Sequence, residues 1–223
     1  MNKMMDIFFS PGRVFTSLRE KPDWLKPFVV ILLVIAIVSV LSFVLSRDTI
    51  IAQQEEMMRE RGLTDEQIEQ AQSITGSPVI MVVSGISGAF FTAIVLVLFT
   101  LILFLLVPLF GGKAQFPVIL SVVCYAGLIT ALGAILRLIL VGITKSPFAN
   151  FSLAAFASSM PRTSFPFRLL MGVDLFIIWE MILVSMGIHI TSEIKKENTY
   201  ILVFIIWAVS LVVGALLGGL RGA

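Results

Sequence analysis

Apolar residues fall into five long stretches, and the polar residues collect almost entirely between them. A hydrocarbon core of about 30 Å takes roughly 20 helical residues to cross. Runs at residues 28–45, 79–110, 118–143, 169–190 and 200–220 come close to or exceed that length. The pattern predicts an all-α integral membrane protein, one five-transmembrane-helix bundle over residues 1–223 that includes an amphipathic N-terminal segment. The second run is longer than the core needs, so it must tilt, protrude or bend. Pro108 and Gly111-Gly112 end it. The links at 111–117 and 191–199 are short, which makes antiparallel hairpins of spans two and three and of spans four and five.

Three segments lie outside the spans. In residues 1–26, Phe8, Phe9, Val14, Phe15, Leu18 and Trp24 are set among Lys3, Arg13, Arg19, Lys21 and Lys26, the pattern of a helix lying in the membrane interface. The run that follows ends without a small-x-small cleavage site, so span one reads as a retained anchor rather than a secretory signal. Residues 47–77 carry three basic and seven acidic side chains and predict an extramembrane hairpin of two short helices parted at Gly62. Thr64-Asp65-Glu66-Gln67 there has the form of a capping box. Met57, Met58, Leu63, Ile68 and Ile74 are too few for an independent core. Residues 144–168 interleave Pro147, Phe148, Phe151, Phe156, Phe165 and Phe167 with small residues, Arg162 and Arg168. Rings beside guanidiniums suit the headgroup layer, and either a short interfacial or partly re-entrant helix over 150–159, ended by Pro161, or a linker lying on the membrane surface is expected.

Composition sharpens the class. With 58% hydrophobic residues, 13% charged and a mean hydropathy of +1.03, the chain cannot be a soluble globular enzyme. The net charge of +2 is spread along the chain, so there is no basic footprint for nucleic acid. Cys124 is the single cysteine and is read as packing. Of the Lys and Arg residues outside the spans, eight fall on the N-terminal side and seven on the other, but five precede the first span and three follow it. The first helix therefore places the N-terminus in the cytoplasm and the C-terminus outside a cell (inner) membrane.

Charged groups at membrane depth are costly and usually face the bundle interior. Arg137 and Asp174 both fall about 9 Å below one face, counted at 1.5 Å per residue, and can pair as an interhelical clamp or serve substrate or ion handling. Glu180 lies about 17 Å down the fourth span, with no cation at its depth, and Thr130 is the hydroxyl that matches it. Asp174 and Glu180 point to different sides of a helix and form no acid-base dyad. His189 has no second histidine, cysteine or carboxylate cluster beside it, so no metal or other cofactor is expected. Ser84-Gly85 lacks the flanks of a nucleophile elbow. The Gly111-Gly112 turn follows no strand and is no phosphate loop. Small residues form stripes that let helices approach closely: Gly85, Ala89 and Ala93 beside Gly88, then Ala126, Thr130 and Ala134, and Gly214, Gly218 and Gly222. These fit packing within the chain or a homodimer face.

Three passages carry a resemblance to a known family. They are Phe8-Phe9-Ser10-Pro11-Gly12-Arg13-Val14-Phe15 with Lys21-Pro22-Asp23-Trp24-Leu25-Lys26-Pro27-Phe28, the Gly111-Gly112 turn leading to Tyr125, and the run from Asp174 to Ile188. Together they resemble the prokaryotic branch of the Yip (Ypt/Rab GTPase-interacting protein) domain family. The resemblance implies a five-span bundle with a cytoplasmic N-terminus, in agreement with the topology counted above. The family's eukaryotic members are membrane adaptors for prenylated Rab GTPases. This chain's short N-terminal region lacks their Tyr-Gly-Pro-rich motif, so GTPase binding is not carried over.

The leading expectation is a non-enzymatic adaptor or organiser that binds membrane lipids, a membrane-protein partner or further copies of itself. The rival is a small transporter or channel using Arg137, Asp174 and Glu180, which predicts a pH-dependent flux in proteoliposomes that Glu180→Gln abolishes or alters. A third expectation makes the chain a regulatory subunit docking through its acidic hairpin, a contact that deletion of residues 53–72 would remove.

Overall fold

The computed structural model describes residues 3–75, 77–144, 146, 149–157 and 159–220, with backbone alone for Ile74, Pro78, Gly219 and Leu220. Pro147, Phe148 and Gly222, and the side chain of Ile74, lie outside the described residues. Nine α-helices are present among them: α1 (Lys3–Phe9), α2 (Pro11–Glu20), α3 (Leu25–Glu60), α4 (Asp65–Thr75), α5 (Pro78–Leu106), α6 (Phe116–Thr144), α7 (Phe165–Gly172), α8 (Leu175–Ser192) and α9 (Lys196–Leu220). Short 3-10 turns cover Val107–Phe110 and Leu153–Phe156. Five helices are long and apolar enough to cross a bilayer: α3, α5 with its 3-10 extension, α6, α8 and α9. The protein is an all-α, multi-pass membrane protein. Its residues gather in two compact units.

The first unit comprises Met1–Ile31, Ala93–Gly133 and Asn150–Ala223. Its axis is the first half of α6, buried without interruption from Val118 to Ile129. A helix apolar all round belongs inside a bundle, and the interruptions here are small: Ser121, Cys124 and Gly127. Gly133 lies against Phe176, so closely that an added Cβ would come within 2.5 Å of the ring.

The second unit comprises Leu32–Thr92 and Ala134–Ala149. In it α3 and α5 meet across glycines. A Cβ on Gly85 would lie 2.8 Å from Val40, and one on Gly88 2.6 Å from the Ser39 hydroxyl. This stripe of small residues brings two helices of the same chain together.

Three boundaries differ from the sequence expectation, each for a local reason. Helix α3 does not stop at residue 45 but runs on to Glu60, because Arg47-Asp48 contains no helix breaker and the next glycine is Gly62. The expected first short helix of the hairpin is therefore the end of the first span. Gly62, at φ 76°, takes the left-handed turn, and Leu63 N–H donates to the Met58 carbonyl at 3.1 Å. Helix α4 then opens on the capping box, with Gln67 N–H donating to Thr64 Oγ1 at 3.4 Å and Thr64 N–H donating to Gln67 Oε1 at 3.0 Å. An ion pair of Arg59 with Asp65 at 3.5 Å and a bond from Gln72 Nε2 to Glu55 Oε2 at 3.0 Å tie the hairpin together.

The fourth span is the second correction: residues 169–190 are not one helix. Helix α7 ends at Gly172, and Asp174 caps α8, its Oδ1 accepting from Phe176 N–H at 2.8 Å. An aspartate at this position favours a helix start over a helix interior. Backbone bonds from Leu153 N–H to Val173 O and from Leu175 N–H to Phe151 O clasp the break.

The third correction concerns the expected helix over 150–159: among the described residues there, only Leu153–Phe156 is helical, as a 3-10 turn. Asn150 Oδ1 accepts from both the N–H and the hydroxyl of Ser152, a local turn that competes with helix. The helical piece of this segment lies later, in α7, capped by Ser164.

Candidate functional site

The first unit gathers most of the flagged residues at the face where the N-terminus, the α5–α6 turn and the α8–α9 turn come together. Helices α1 and α2 are short and joined at Ser10, and Pro11 opens α2 at a position where its missing N–H costs nothing. The apolar stripe Ile7, Val14, Phe15 and Leu18 is fully buried. The amphipathic segment thus turns this stripe to protein rather than to lipid. Phe15 lies over Gly187 of α8: a Cβ there would stand 3.1 Å from the ring and 2.4 Å from Val122. Phe8 meets Trp179 of α8 edge-on, centroids 6.4 Å apart. Phe9 and Met5 point outward, 84% and 59% exposed. Arg13, also exposed, reaches back to the Ser10 hydroxyl at 2.6 Å.

The end of α2 is tied down electrostatically. Glu193 receives Arg19 on Oε1 and Lys113 on Oε2, the latter at 2.7 Å. One carboxylate thereby links three chain segments. Its hydrogen bond from Lys113, followed by the charges of Lys113 and Arg19, holds its carboxyl below the usual range. The backbone around it is built for the purpose. Glu193 takes a left-handed conformation at the end of α8, φ 61°, and Lys113 N–H donates to Ser192 O at 2.9 Å. Gly111 is also left-handed, at φ 76°, and a Cβ on Gly112 would come within 2.5 Å of Ile194. The two glycines form a turn that meets the α8–α9 link, where His189 Nδ1 lies 2.6 Å from the Ile194 carbonyl. Since a carbonyl only accepts, Nδ1 carries the proton there. Arg19, Lys113, Gln115, Val118, Thr191 and Glu193 line a cleft of about 230 Å³.

The loop between α2 and α3 is held by a second lock. Asp23 N–H donates to Ser121 Oγ at 3.1 Å, and the buried Tyr125 hydroxyl donates to Asp23 Oδ2 at 3.4 Å. Trp24 packs edge-on against Phe28 at 5.9 Å. The Lys21-Pro22-Asp23-Trp24 passage and Tyr125, far apart in sequence, are one contact.

Deeper in the same unit, Thr130 donates its hydroxyl to Glu180 Oε2, which is buried. Glu180 Oε1 lies 3.7 Å from the position a Cβ on Gly127 would take, beside Ile31 and Leu96. Gly127 leaves the room the carboxyl occupies. Asp174 sits at the helix start already described rather than in mid-span. Arg137, in the second unit, donates from Nε to the Ala149 carbonyl at 3.0 Å. Gly214 has open space around it, and Gly218 faces the Arg168 side chain of α7. Sequence reasoning quoted Asp23 and Gly187 only within the passages of resemblance and gave neither them nor Glu193 a role; a glycine within an otherwise bulky apolar run was the available signal for Gly187.

A helical membrane bundle carrying a docked N-terminal helix pair defines the class. The Yip1 domain matches residues 5–217, and the chain belongs to that family. It is similar to the membrane protein YknW of Bacillus subtilis (strain 168), at 28% identity over 219 residues, covering 97% of this chain and 90% of that protein. No solved structure matches it.

Proposed function

We propose that the protein is a non-enzymatic membrane adaptor or organiser that binds a partner protein or lipid through the face built by α1 and α2. The observation that carries this reading is the division of the N-terminal segment. Its apolar stripe is consumed inside the protein, yet Phe9 at 84% and Met5 at 59% exposure project from the same docked helices. Large apolar side chains presented by a fixed element are the usual anchors of an interface, and the neighbouring Lys and Arg residues suit an acidic partner or a headgroup layer. Fixing the segment in advance removes an ordering cost that a free amphipathic helix would meet on binding.

The test is a photo-crosslinking amino acid at position 9 in the full chain, irradiated in native membranes. A discrete crosslinked protein or lipid, lost when Met5→Ser is added and absent from the same probe at Thr16, is the expected result. Crosslinks equal at positions 9 and 16 would remove the support for this face.

A further inference from the structure

We infer that a groove between α7 and α9, in the first unit and at the end of the bundle away from the α8–α9 turn, binds the headgroup of an anionic phospholipid, with Arg168 as the phosphate ligand. The groove encloses about 250 Å³ and is lined by Arg168, Met171, Gly172, Ser210, Leu211, Gly214 and Ala215. One wall is cationic, the rest apolar or small, and no acidic side chain contributes to it.

Arg168 is held at its end. A Cβ on Gly218 would stand 3.4 Å from its Cδ and Nε, so the side chain lies flat along the glycine. Its Nη1 makes a long bond of 3.5 Å to the Ala215 carbonyl, near the C-terminal and hence negative end of α9. A guanidinium has five N–H donors, and among the described residues this is the bond it makes. Donors remain for a two-oxygen acceptor, which the pair of non-bridging oxygens of a phosphodiester supplies.

The depth and the charge of the surroundings point to the same occupant. Ala215 is about 30 Å of helical rise beyond Lys196, one hydrocarbon thickness, which puts Arg168 at the headgroup level of the far interface. Val212, Val213, Leu216 and Leu217 are exposed on α9 beside the groove and belong to the lipid-facing surface. The segment from 144 to 168 contains Lys145, Arg162 and Arg168 and no Asp or Glu, so its field favours an anion over a neutral zwitterion. Gly214 keeps the groove open: nothing lies within 4 Å of where its Cβ would be. That site is independent of the N-terminal face.

The measurement is native mass spectrometry of the delipidated full chain titrated with phosphatidylglycerol and, separately, with phosphatidylcholine. One phosphatidylglycerol is expected to bind preferentially. Arg168→Gln should weaken it about tenfold, the loss of one charge-assisted contact. Gly214→Leu, which fills open space and leaves the charge intact, should weaken it at least as much, while Arg162→Gln, on the same segment but outside the groove, should leave it unchanged. Circular dichroism and gel filtration establish folding, and the two groove variants perturb different helices. Unchanged phosphatidylglycerol affinity in either folded variant overturns the assignment. So does equal binding of the two lipids, or displacement of the lipid by inorganic phosphate, which would make the groove a site for a free anion.

Discussion

Gly187 shows how a single residue can set an interface. Phe15 lies on it, and Val122 crowds the space from the other side, so a side chain there has nowhere to go. Gly187→Val should therefore destabilise the protein by about 1–3 kcal/mol through overpacking, read as a lowered unfolding midpoint in detergent. Gly214→Val, where the added atoms meet nothing, should leave the midpoint within about 0.5 kcal/mol. Equal effects at the two glycines would remove the packing argument. The Thr130–Glu180 bond carries a second expectation. Thr130→Val removes the donor and leaves a buried carboxyl oxygen unmatched, a cost of about 1–3 kcal/mol, whereas Thr130→Ser should restore the bond and most of the stability. The proximity of these two residues was legible from depth counting, because antiparallel helices of known rise align residues equally far from one face. Gly187 was not legible, since nothing in a sequence says which helix will lie across a glycine. Nor was the meeting of Asp23 with Ser121 and Tyr125, which depends on where a loop folds back.

At the scale of elements, the amphipathic N-terminal segment has two holds of unequal strength, and magnitudes decide between them. Burying Phe15, Val14 and Leu18 completely is an apolar contribution of the kind whose removal at one phenylalanine costs about 3–5 kcal/mol. The Arg19–Glu193–Lys113 latch is exposed, and exposed ion pairs contribute little. Phe15→Ala should consequently collapse the hydrogen-exchange protection of α1 and α2, while Glu193→Gln should lower it less than about tenfold. The pH dependence follows from the direction of the Glu193 shift. Its carboxyl is held below the usual value of about 4.3 by Lys113 and Arg19. A depressed folded value means the contribution is complete above the unfolded value and is lost as pH falls through the folded one. The protection difference between wild type and Glu193→Gln should thus persist from pH 7 to about 5 and vanish only below the usual carboxylate range. A difference that disappeared well above that range would remove Glu193 from the latch. The amphipathic pattern itself was plain in the sequence, but whether its apolar face meets lipid or protein is a tertiary fact. Likewise, hydropathy found the fourth span but not the break at Val173-Asp174, because a capping aspartate between two apolar helices reads as one charged residue inside a single run.

For the whole molecule, five helices of membrane length, an odd number of crossings, would put the two ends of the chain on opposite sides, and the basic residues decide which side is which. The choice rests on the short segments next to the first span, where five basic residues precede and three follow it, since charges near the first helix dominate orientation. The acidic side chains of 47–77 contribute little to that rule, so they do not decide the outcome. A cytoplasmic N-terminus is therefore the expected orientation. Its measurement benefits from the composition: Cys124 is the sole cysteine and is buried, so it gives little background to a membrane-impermeant thiol reagent. Single cysteines at Thr16, Gln70 and Thr163, all exposed, then report the three segments separately. In intact cells the reagent should label positions 70 and 163 and leave position 16 unlabelled until the membrane is opened. Labelling at 16 alone would invert the orientation and would put the Phe9 and Met5 surface outside the cell, where a cytoplasmic partner could not reach it. Mixed labelling of 70 and 163 would contradict five crossings altogether, because an even number of spans separates those two segments in the bundle described here.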